Sequence, residues 1–317
     1  MDISIVDYSP KFKPSILELF KSTFDRKLSQ EFWNWRFENN PFGKPIIKNA
    51  IYNSEIIAHY LLHPVELNYG KDKIQSLFSM MTMTNPQFSG RGIMTELANQ
   101  VYQLGKNLGY ELVFCFANNI SRKMFTQNLG LTELNIMNEI SSDISNLPKL
   151  NSQYKCHKIT IFDNSITELY NKCNMHNHII IPRMKNYLNW RFIQHPEVTY
   201  YCHNILKNGN LVGYFVLKKY NDEKVHIVDF LTLTDDPTIF ETIINESKKF
   251  SEKNRLPKIT LWGNHNLAFL KYLESIGFSK QPTTSYFCIK PLSSKINTKI
   301  FNNFYNWYIT MSDSDVF

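Results

Sequence analysis

An eight-residue segment that occurs twice constrains the possible fold more than any other feature of this 317-residue sequence. Residues 34–41 read NWRFENNP and residues 189–196 read NWRFIQHP, so five of the eight positions are identical at an offset of 155 residues. A second similar pair follows in the same order, NISRKMFTQNLGL at 119–131 and NLAFLKYLESIGF at 266–278, offset by 147 residues. Two collinear pairs predict a duplicated domain, and each half of the chain has the length of a typical domain.

The apolar pattern of each half predicts an α/β (α+β) domain with a mixed, mostly antiparallel sheet flanked by helices. In each half, three strands, a helix and a further strand are predicted in that order, at 47–52, 55–66, 74–84, 92–108 and 111–116, and at 199–207, 211–220, 224–233, 238–254 and 258–263. Both NWRF segments are predicted to lie on helices, at 30–37 and 183–193. Because the stretch 141–153 is polar, we predict tandem domains at 1–145 and 154–292 and a C-terminal tail at 293–317.

Charge and composition argue against several classes of function. The net charge of +7 is spread along the chain, whereas nucleic-acid-binding domains usually cluster Lys and Arg on one surface. No run approaches the roughly 20 apolar residues of a membrane span, and MDISIVDYSP lacks the features of a signal peptide. The five cysteines include no CxxC pair, and CNMHNH at 173–178 fits no standard metal-ligand spacing. We therefore expect a cytoplasmic protein that uses no metal and binds no nucleic acid.

The segment PQFSGRG at 86–92 joins a predicted strand to a predicted helix and holds two of only 11 glycines. The first amides of a helix have no acceptor within the helix, and the helix dipole adds partial positive charge there. Because glycine lets the backbone approach a ligand closely, the junction suits a phosphate or pyrophosphate, to which Arg91 adds a positive charge. The alternative is an ordinary turn that needs glycine only for its geometry.

The segment MTMTNPQFSGRGIM and the helix after it resemble the acyl-CoA-binding motif of the GCN5-related N-acetyltransferase (GNAT) superfamily. The matching positions are Pro86, Phe88, Gly90, Arg91 and Gly92. Two positions depart from the motif, since Ser89 replaces the usual Arg or Gln and Met94 replaces the usual last glycine. The resemblance implies acetyl-CoA or another short acyl-CoA as co-substrate, bound by Thr82, Met83, Thr84, Ser89, Gly90, Arg91, Gly92, Ile93, Met94, Thr95 and Asn119.

The resemblance continues through ANNISRKMFTQNLGL at 117–131, where Asn119 matches the residue that contacts the pantetheine arm. Thr126 stands where a tyrosine often protonates the leaving thiolate, and its hydroxyl is a weaker acid. In the second half, Asp235 and Asp236 occupy the place of the glycine loop and would repel a pyrophosphate. We therefore interpret the second half as a degenerate copy that contributes to the acceptor cleft, as in the similar two-domain nucleotide-sugar N-acyltransferases.

The resemblance implies that a primary amine attacks the thioester directly, and amides around Thr82–Thr84 are expected to polarise its carbonyl. An amino sugar carried on a nucleotide is the acceptor that we expect. Its amine, titrating near pH 8, costs about 1.4 kcal/mol to deprotonate at pH 7, against about 4.6 kcal/mol for lysine. The alternatives are an aminoglycoside, polyamine or peptide amine, or a non-catalytic acyl-CoA-binding module.

The candidate bases are two histidines and the acidic tail. His59 and His63 share one face of a predicted strand because they are four residues apart, although each could instead pack in the core or lie on the surface. The tail offers Asp313, Asp315 and the Phe317 carboxylate, because a C-terminal carboxylate enters the active site in some relatives; a frayed terminus is the alternative.

Trp33, Trp35 and Arg36 are candidate substrate contacts, since indole rings stack on bases and a guanidinium binds phosphate. The recurrence of NWRF in the half that lacks the donor site also fits a structural signature.

Overall fold

The computed structural model describes residues 2–173, 175–263 and 267–317. Asn174 of the segment 173–178 and Asn266 of the second repeat therefore lie outside the described residues. The chain divides into two compact units, and each unit is assembled from three segments. The first unit comprises the chain up to Leu67, Lys73–Asn135 and Ser285–Asn302, and the second comprises Asn68–Asp72, Ile136–Thr284 and Asn303–Phe317.

The strands and helices follow the order expected of a duplicated α/β domain. The strands are β1 (Ser4–Asp7), β2 (Ile46–Tyr52), β3 (Glu55–Tyr69), β4 (Asp72–Thr84), β5 (Leu112–Ala117), β6 (Thr132–Asp143), β7 (Lys155–Ile159), β8 (Tyr200–Lys207), β9 (Asn210–Tyr220), β10 (Lys224–Thr232), β11 (Lys258–Leu261) and β12 (Ser279–Pro291). The α-helices are α1 (Lys13–Phe24), α2 (Gln30–Trp33), α3 (Ile93–Asn107), α4 (Asn164–Lys172), α5 (Lys185–Leu188), α6 (Pro237–Asn254), α7 (Leu267–Ser275) and α8 (Thr298–Phe301). None of the helices within the described residues has the length and apolarity that crossing a bilayer requires.

Each unit contains a mixed, mostly antiparallel sheet. In the first unit the strand order is β1-β2-β3-β4-β5-β12, and β4 and β5 are parallel. In the second unit the order is β12-β6-β11-β10-β9-β8-β7, and β10 and β11 are parallel. The expected fold class is therefore confirmed. In each sheet, the strand that leads into the long helix pairs in parallel with the strand that follows that helix.

The boundary between the units falls within two strands, β6 and β12. This exchange of strand segments is not part of the division predicted at 1–145 and 154–292. Residues from Ile136 onward in β6 belong to the second unit, while residues from Ser285 onward in β12 belong to the first. Within the first unit, this last part of β12 pairs with β5, from Tyr286 opposite Ala117 to Pro291 opposite Leu112. A local apolar pattern identifies a strand but does not identify its partner, so the exchange has no signal in the sequence.

Helix α3 covers one face of the first sheet. Its buried residues recur at helical spacing and include Leu97, Ala98 and Val101, which pack in one cluster with β-strand residues. Gly105 lies where a Cβ atom would come within 2.7 Å of Leu77 Cδ1, so the helix approaches the sheet closely at this point. In the second unit, α6 packs Phe240 and Ile243 against its sheet in the corresponding way.

Both NWRF segments adopt the same local structure, a single π-helical turn that continues a short α-helix. The turns span Asn34–Glu38 and Asn189–Ile193. In each, an amide donates to the carbonyl five residues earlier, from Asn39 to Asn34 and from Gln194 to Asn189, both at 2.9 Å. The predicted helices 30–37 and 183–193 are thus α-helical only at Gln30–Trp33 and Lys185–Leu188. Met124–Asn128 is a further π-helical segment, in the first unit.

Candidate active site

Strands β4 and β5 separate part-way along their length. Their parallel ladder joins Ser76–Phe78 to Leu112–Phe114 and ends there, although β4 continues to Thr84. Met81 has φ of 51°, a left-handed conformation that is rare for a residue other than glycine and that distorts β4 just beyond the end of the ladder. The edge of β4 that faced β5 is therefore open to another hydrogen-bonding partner from about Ser79 onward.

The loop after β4 places helix amides at the mouth of this opening. Asn85 Oδ1 accepts from the amide of Gln87 at 3.1 Å and starts a short 3-10 turn, and α3 begins a few residues later at Ile93. Gly90 and Gly92 have φ of 75° and 77°, and a Cβ atom on either would meet nothing within 4 Å. Gly92 caps α3 without a side chain, so the first amides of the helix can bind an anion.

A cavity of about 480 Å³ lies at this junction, within the first unit. That volume is in the range of small-molecule and cofactor sites. It is lined by Thr82, Thr84, Phe88, Ser89, Gly90, Arg91, Gly92, Ile93, Met94, Thr95, Ile120, Ser121, Met124 and Asn128. Nine of the eleven residues predicted to bind the cofactor are in this lining.

The two remaining predicted residues lie beside the cavity. Met83 is only 1% exposed and packs in the core, because residues on one β-strand alternate between faces and Thr82 and Thr84 face the cavity. Asn119 is exposed in the turn after β5. Its neighbour Asn118 organises that turn, with its side-chain oxygen accepting from the amides of Ile120 at 3.0 Å and Ser121 at 2.9 Å.

A second wall of the cavity was absent from the sequence-based prediction. It consists of Ile120, Ser121, Met124 and Asn128, and Phe88 adds to the opposite side. Ile120, Met124 and Asn128 are spaced four residues apart, which places them on one face of a helical segment. This spacing could have identified the second wall from the sequence. The side chain of Ile120 is 91% exposed at the mouth of the cavity.

Residues 5–130 match the sequence model of the family described as "Acetyltransferase (GNAT) domain". This part of the chain is therefore similar to the GNAT family. No curated protein matches the sequence significantly.

Solved structures show the fold across nearly the whole chain. A probable N-acyltransferase from Enterococcus faecalis V583 has a TM-score of 0.75 at 10% identity, over 92% of this chain and 73% of that one. A tandem GNAT protein from the clavulanic acid biosynthesis pathway has a TM-score of 0.65 at 10% identity, over 92% and 99% of the two chains. The Saccharomyces cerevisiae N-myristoyltransferase with bound myristoyl-CoA has a TM-score of 0.61 at 12% identity, over 91% and 78%. The family match and these neighbours together support an N-acyltransferase.

The predicted bases His59 and His63 lie inside the core of the first unit, because ten consecutive residues of β3 are buried. Nδ1 of His59 is 2.8 Å from Asn49 Oδ1, and burial lowers the pKa of His59 to about 3. Burial and the nearby Arg36 charge lower the pKa of His63 well below its usual value. This placement corrects the expectation of an accessible base, since both imidazoles are neutral core groups that solvent does not reach.

Thr126, the predicted acid, is also turned away from the cavity. Its hydroxyl donates to the carbonyl oxygen of Arg122 at 2.9 Å, and the residue is not among those that line the cavity. A threonine hydroxyl within a helical segment usually bonds to the preceding turn in this way. A role for Thr126 in protonating the leaving thiolate therefore gains no support from its position.

The predicted substrate contacts Trp33, Trp35 and Arg36 are buried, with 1%, 6% and 6% of their surfaces exposed. The corresponding Trp190 and Arg191 of the second unit are buried to a similar degree, at 4% and 2%. Since the two π-helical turns carry the same residues into the core of both units, a structural role explains the recurrence of NWRF. Contact with a substrate is not needed to account for it.

The predicted catalytic tail contacts residues of the second unit. Asp313 Oδ2 accepts from Arg183 at 2.8 Å, and the Phe317 carbonyl accepts from Arg191. Asp315 is exposed. The tail is ordered rather than frayed, because Met311–Asp313 form a buried 3-10 turn. Asp313 is engaged in a buried ion pair, which removes it as an accessible base.

Proposed function

We propose that the chain transfers an acetyl or other short acyl group from acyl-CoA to a primary amine, by direct attack of the amine on the thioester. The observation that carries this proposal is the cavity at the start of α3, where open helix amides meet the separated edge of β4. An anion-binding helix end and an adjacent strand edge together suit a ligand that joins a pyrophosphate to an amide-containing arm.

The donor would bind with its pyrophosphate on the amides at Gly92 and Ile93. The guanidinium of Arg91 lies near this position, with its carbon 5.6 Å from the centre of the Phe88 ring. The pantetheine arm would then hydrogen-bond to the open edge of β4, and amides around Thr82–Thr84 would polarise the thioester carbonyl. Asn119 and its neighbours on the second wall would contact the arm from the other side.

The character of the cavity favours an amine that needs little help to lose its proton. Its lining residues in the described chain include no His, Asp or Glu. At pH 7, deprotonating an amine that titrates near pH 8 costs about 1.4 kcal/mol, whereas a lysine amine costs about 4.6 kcal/mol. Positioning of the amine can offset the smaller cost, since well-oriented reactants gain several kcal/mol.

An amino sugar carried on a nucleotide has such an amine and is the acceptor that we propose, in the cytoplasm. None of the five cysteines, all of which lie within the described residues, forms a disulfide, which fits a reducing compartment. Aminoglycoside, polyamine and peptide amines are alternative acceptors within the same chemistry. The alternative from another class of protein is a non-catalytic module that binds acyl-CoA. Ser89, Met94 and Thr126, which replace the usual residues of the motif, favour this alternative.

A thiol-release assay tests the proposal. Acetyl-CoA and propionyl-CoA are each incubated with the protein and a panel of amines that covers nucleotide-linked amino sugars, free amino sugars, aminoglycosides, polyamines and peptides. Release of CoA thiol that depends on the nucleotide-linked amino sugar supports the full proposal. Release with another amine keeps N-acyl transfer and replaces the acceptor. Acyl-CoA binding without turnover of any amine would leave only the binding module.

A further inference from the structure

The second unit contains a counterpart of the opening in which we place acyl-CoA. Strands β10 and β11 pair in parallel from Lys224 opposite Lys258 to Ile227 opposite Leu261, and β10 then continues to Thr232. The register of β10 shifts between Ile227 and Asp229, so the irregularity falls at Val228. Val228 follows Met81 by 147 residues, the same offset as the second sequence repeat. The two irregularities are therefore equivalent positions of the duplicated domain.

The segment Trp307–Asp313, here called the inserted segment, lies at this opening. The hydroxyl of Tyr308 donates to the carbonyl oxygen of Phe230, on the part of β10 beyond its ladder with β11. The amide of Tyr308 donates to the Ile179 carbonyl at 2.9 Å. The hydroxyl of Thr310 donates to Asp229 Oδ1 at 2.8 Å. At the 147-residue offset, Asp229 corresponds to Thr82, which lines the cavity of the first unit.

A buried charge network holds the inserted segment. The guanidinium of Arg183 is fully buried between two carboxylates, 3.1 Å from Asp229 Oδ1 and 2.8 Å from Asp313 Oδ2. Arg191, also buried, donates to the Ser312 carbonyl at 3.1 Å. Removing the Asp313 carboxylate would leave the buried Arg183 facing Asp229 alone, and losing a partner from a buried ion network is costly in a low-dielectric interior.

Part of this buried charge network is specific to the second unit. At the 155-residue offset of the NWRF pair, Arg183 corresponds to Leu28, so the first unit has no arginine at the equivalent position. If only a filled core were needed, an apolar residue such as Leu28 would serve at position 183 as well. Four polar contacts of Arg183 are instead made with residues 310–313 and Asp229, which are far apart in sequence. The geometry is that of a recognition site for a chain segment.

We propose that the opening between β10 and β11 is a peptide-binding site that the chain fills with its own inserted segment. The site recognises an extended peptide with an aromatic residue and, five positions later, a carboxylate, as in Tyr308 and Asp313. Because the inserted segment occupies it, the second unit has no room for an acyl-CoA. The inference does not depend on the function proposed for the first unit.

Hydrogen exchange of the full-length protein, followed by mass spectrometry, is the first test. Asp313→Asn removes the charge that faces Arg183 and keeps the size of the side chain. We expect the amides of residues 308–314 to exchange at least tenfold faster, while the amides of β3 and β4 keep their rates. Asp315→Asn, the matched control, changes an exposed carboxylate two residues further on and should leave the exchange unchanged. Equal exchange in the two variants would overturn the proposal.

Binding in trans is the second test. A labelled peptide that copies residues 305–315, capped at both ends, is added to the Asp313→Asn protein and to the unchanged protein. The peptide should bind the variant and not the unchanged chain, whose tethered segment acts at a high effective concentration. A peptide carrying Asp313→Asn should bind at least tenfold more weakly. Failure of the variant to bind either peptide, or equal binding of both, would contradict the proposal.

If circular dichroism shows that Asp313→Asn does not fold, Tyr308→Phe replaces it in both experiments. That variant removes only the hydroxyl that reaches Phe230, and the same faster exchange of residues 308–314 and the same binding in trans are expected. Unchanged exchange in a folded Tyr308→Phe protein, together with no binding of the peptide, would overturn the proposal as well.

Discussion

Gly92 is the residue at which a single added charge should act most directly on acyl-CoA. It caps α3 with φ of 77°, and a Cβ atom added to it would meet nothing within 4 Å. A carboxylate there, about 5 Å from a bound pyrophosphate, would repel it by about 2–4 kcal/mol. We expect Gly92→Asp to weaken CoA binding at least 100-fold in calorimetry, while the melting temperature falls by only a few degrees.

Gly92→Asn is the matched control for this variant. Asparagine has the size of aspartate and tolerates the left-handed conformation, so it adds the same backbone strain without the charge. It should weaken CoA binding by less than about tenfold. Equal losses in the two variants would mean that the close approach of the backbone, and not the charge, determines binding.

Burial of His59 makes the stability of the protein depend on pH. Its folded-state pKa of about 3 lies below the ordinary value of 6.5, so between these values the unfolded chain binds a proton that the folded chain excludes. The neutral imidazole therefore makes its full contribution to the free energy of unfolding above about pH 7, and this contribution is lost as the pH falls. Between pH 7 and pH 5 the loss should be about 2 kcal/mol for this residue.

Urea unfolding of the unchanged protein and of His59→Gln at pH 7 and pH 5 checks this prediction. The variant starts from a lower stability, but its loss on acidification should be smaller by about 2 kcal/mol. His157→Gln, at an exposed position, should retain the full loss. The same loss in all three proteins would show that the His59 imidazole can be protonated in the folded state.

At the scale of elements, the two long helices α3 and α6 differ at their first turns. Gly92 leaves the start of α3 without a side-chain cap, whereas Asp236 caps α6 by accepting from the Thr238 amide at 2.9 Å. Asp236 also accepts from the Tyr154 hydroxyl at 2.8 Å, and the bond from the Thr238 amide lowers the pKa of its carboxyl. The amides that could bind a phosphate in the first unit are satisfied internally in the second.

Removing the cap of α6 should therefore destabilise the protein without creating an anion site. Asp236→Ala should lower the free energy of unfolding by about 1 kcal/mol, the usual contribution of a capping side chain. Asp236→Asn, which can accept the same bond, should lower it by less than half as much. Denaturant unfolding measures both values, and a larger loss in Asp236→Asn would mean that the negative charge at the helix start is the main contribution.

Most elements follow from local patterns in the sequence, and the exceptions have physical causes. The predicted helices at 92–108 and 238–254 are observed as Ile93–Asn107 and Pro237–Asn254, because apolar periodicity and capping residues are local signals. The π-helical turns have no such signal, because a single π-helical turn within a helix is too short to change the helical pattern of the segment. The loop of the candidate site was predictable because its glycines lie within a few residues of each other.

At the scale of the whole molecule, the contacts that escaped prediction join residues far apart in the chain. The pair Arg183–Asp313 is separated by 130 residues, and Arg191 and Phe317 by 126. Neither residue type nor spacing identifies such partners, and a charged residue near the end of a chain is usually exposed. The sequence therefore suggested a catalytic or frayed tail, while the structure shows a segment integrated into the second unit.

The duplicated fold predicts the number of acyl-CoA molecules that one chain binds. Two domains of one origin could provide two sites, but among the described residues the first unit alone has both an uncapped start of its long helix and an open strand edge. In the second unit, Asp236 fills the helix start and the inserted segment contacts β10 beyond its ladder with β11. Isothermal titration with CoA should therefore give one site per chain.

Two variants test whether the single site lies in the first unit. Gly92→Asp should abolish the single site and leave no residual binding, whereas Asp236→Ala should keep one site with unchanged affinity, because the inserted segment still occupies the second opening. Two sites in the unchanged protein, or a site that survives Gly92→Asp, would show that the second unit also binds acyl-CoA. The duplication would then have preserved donor binding in both copies instead of dividing the two copies between acyl-CoA and a peptide segment.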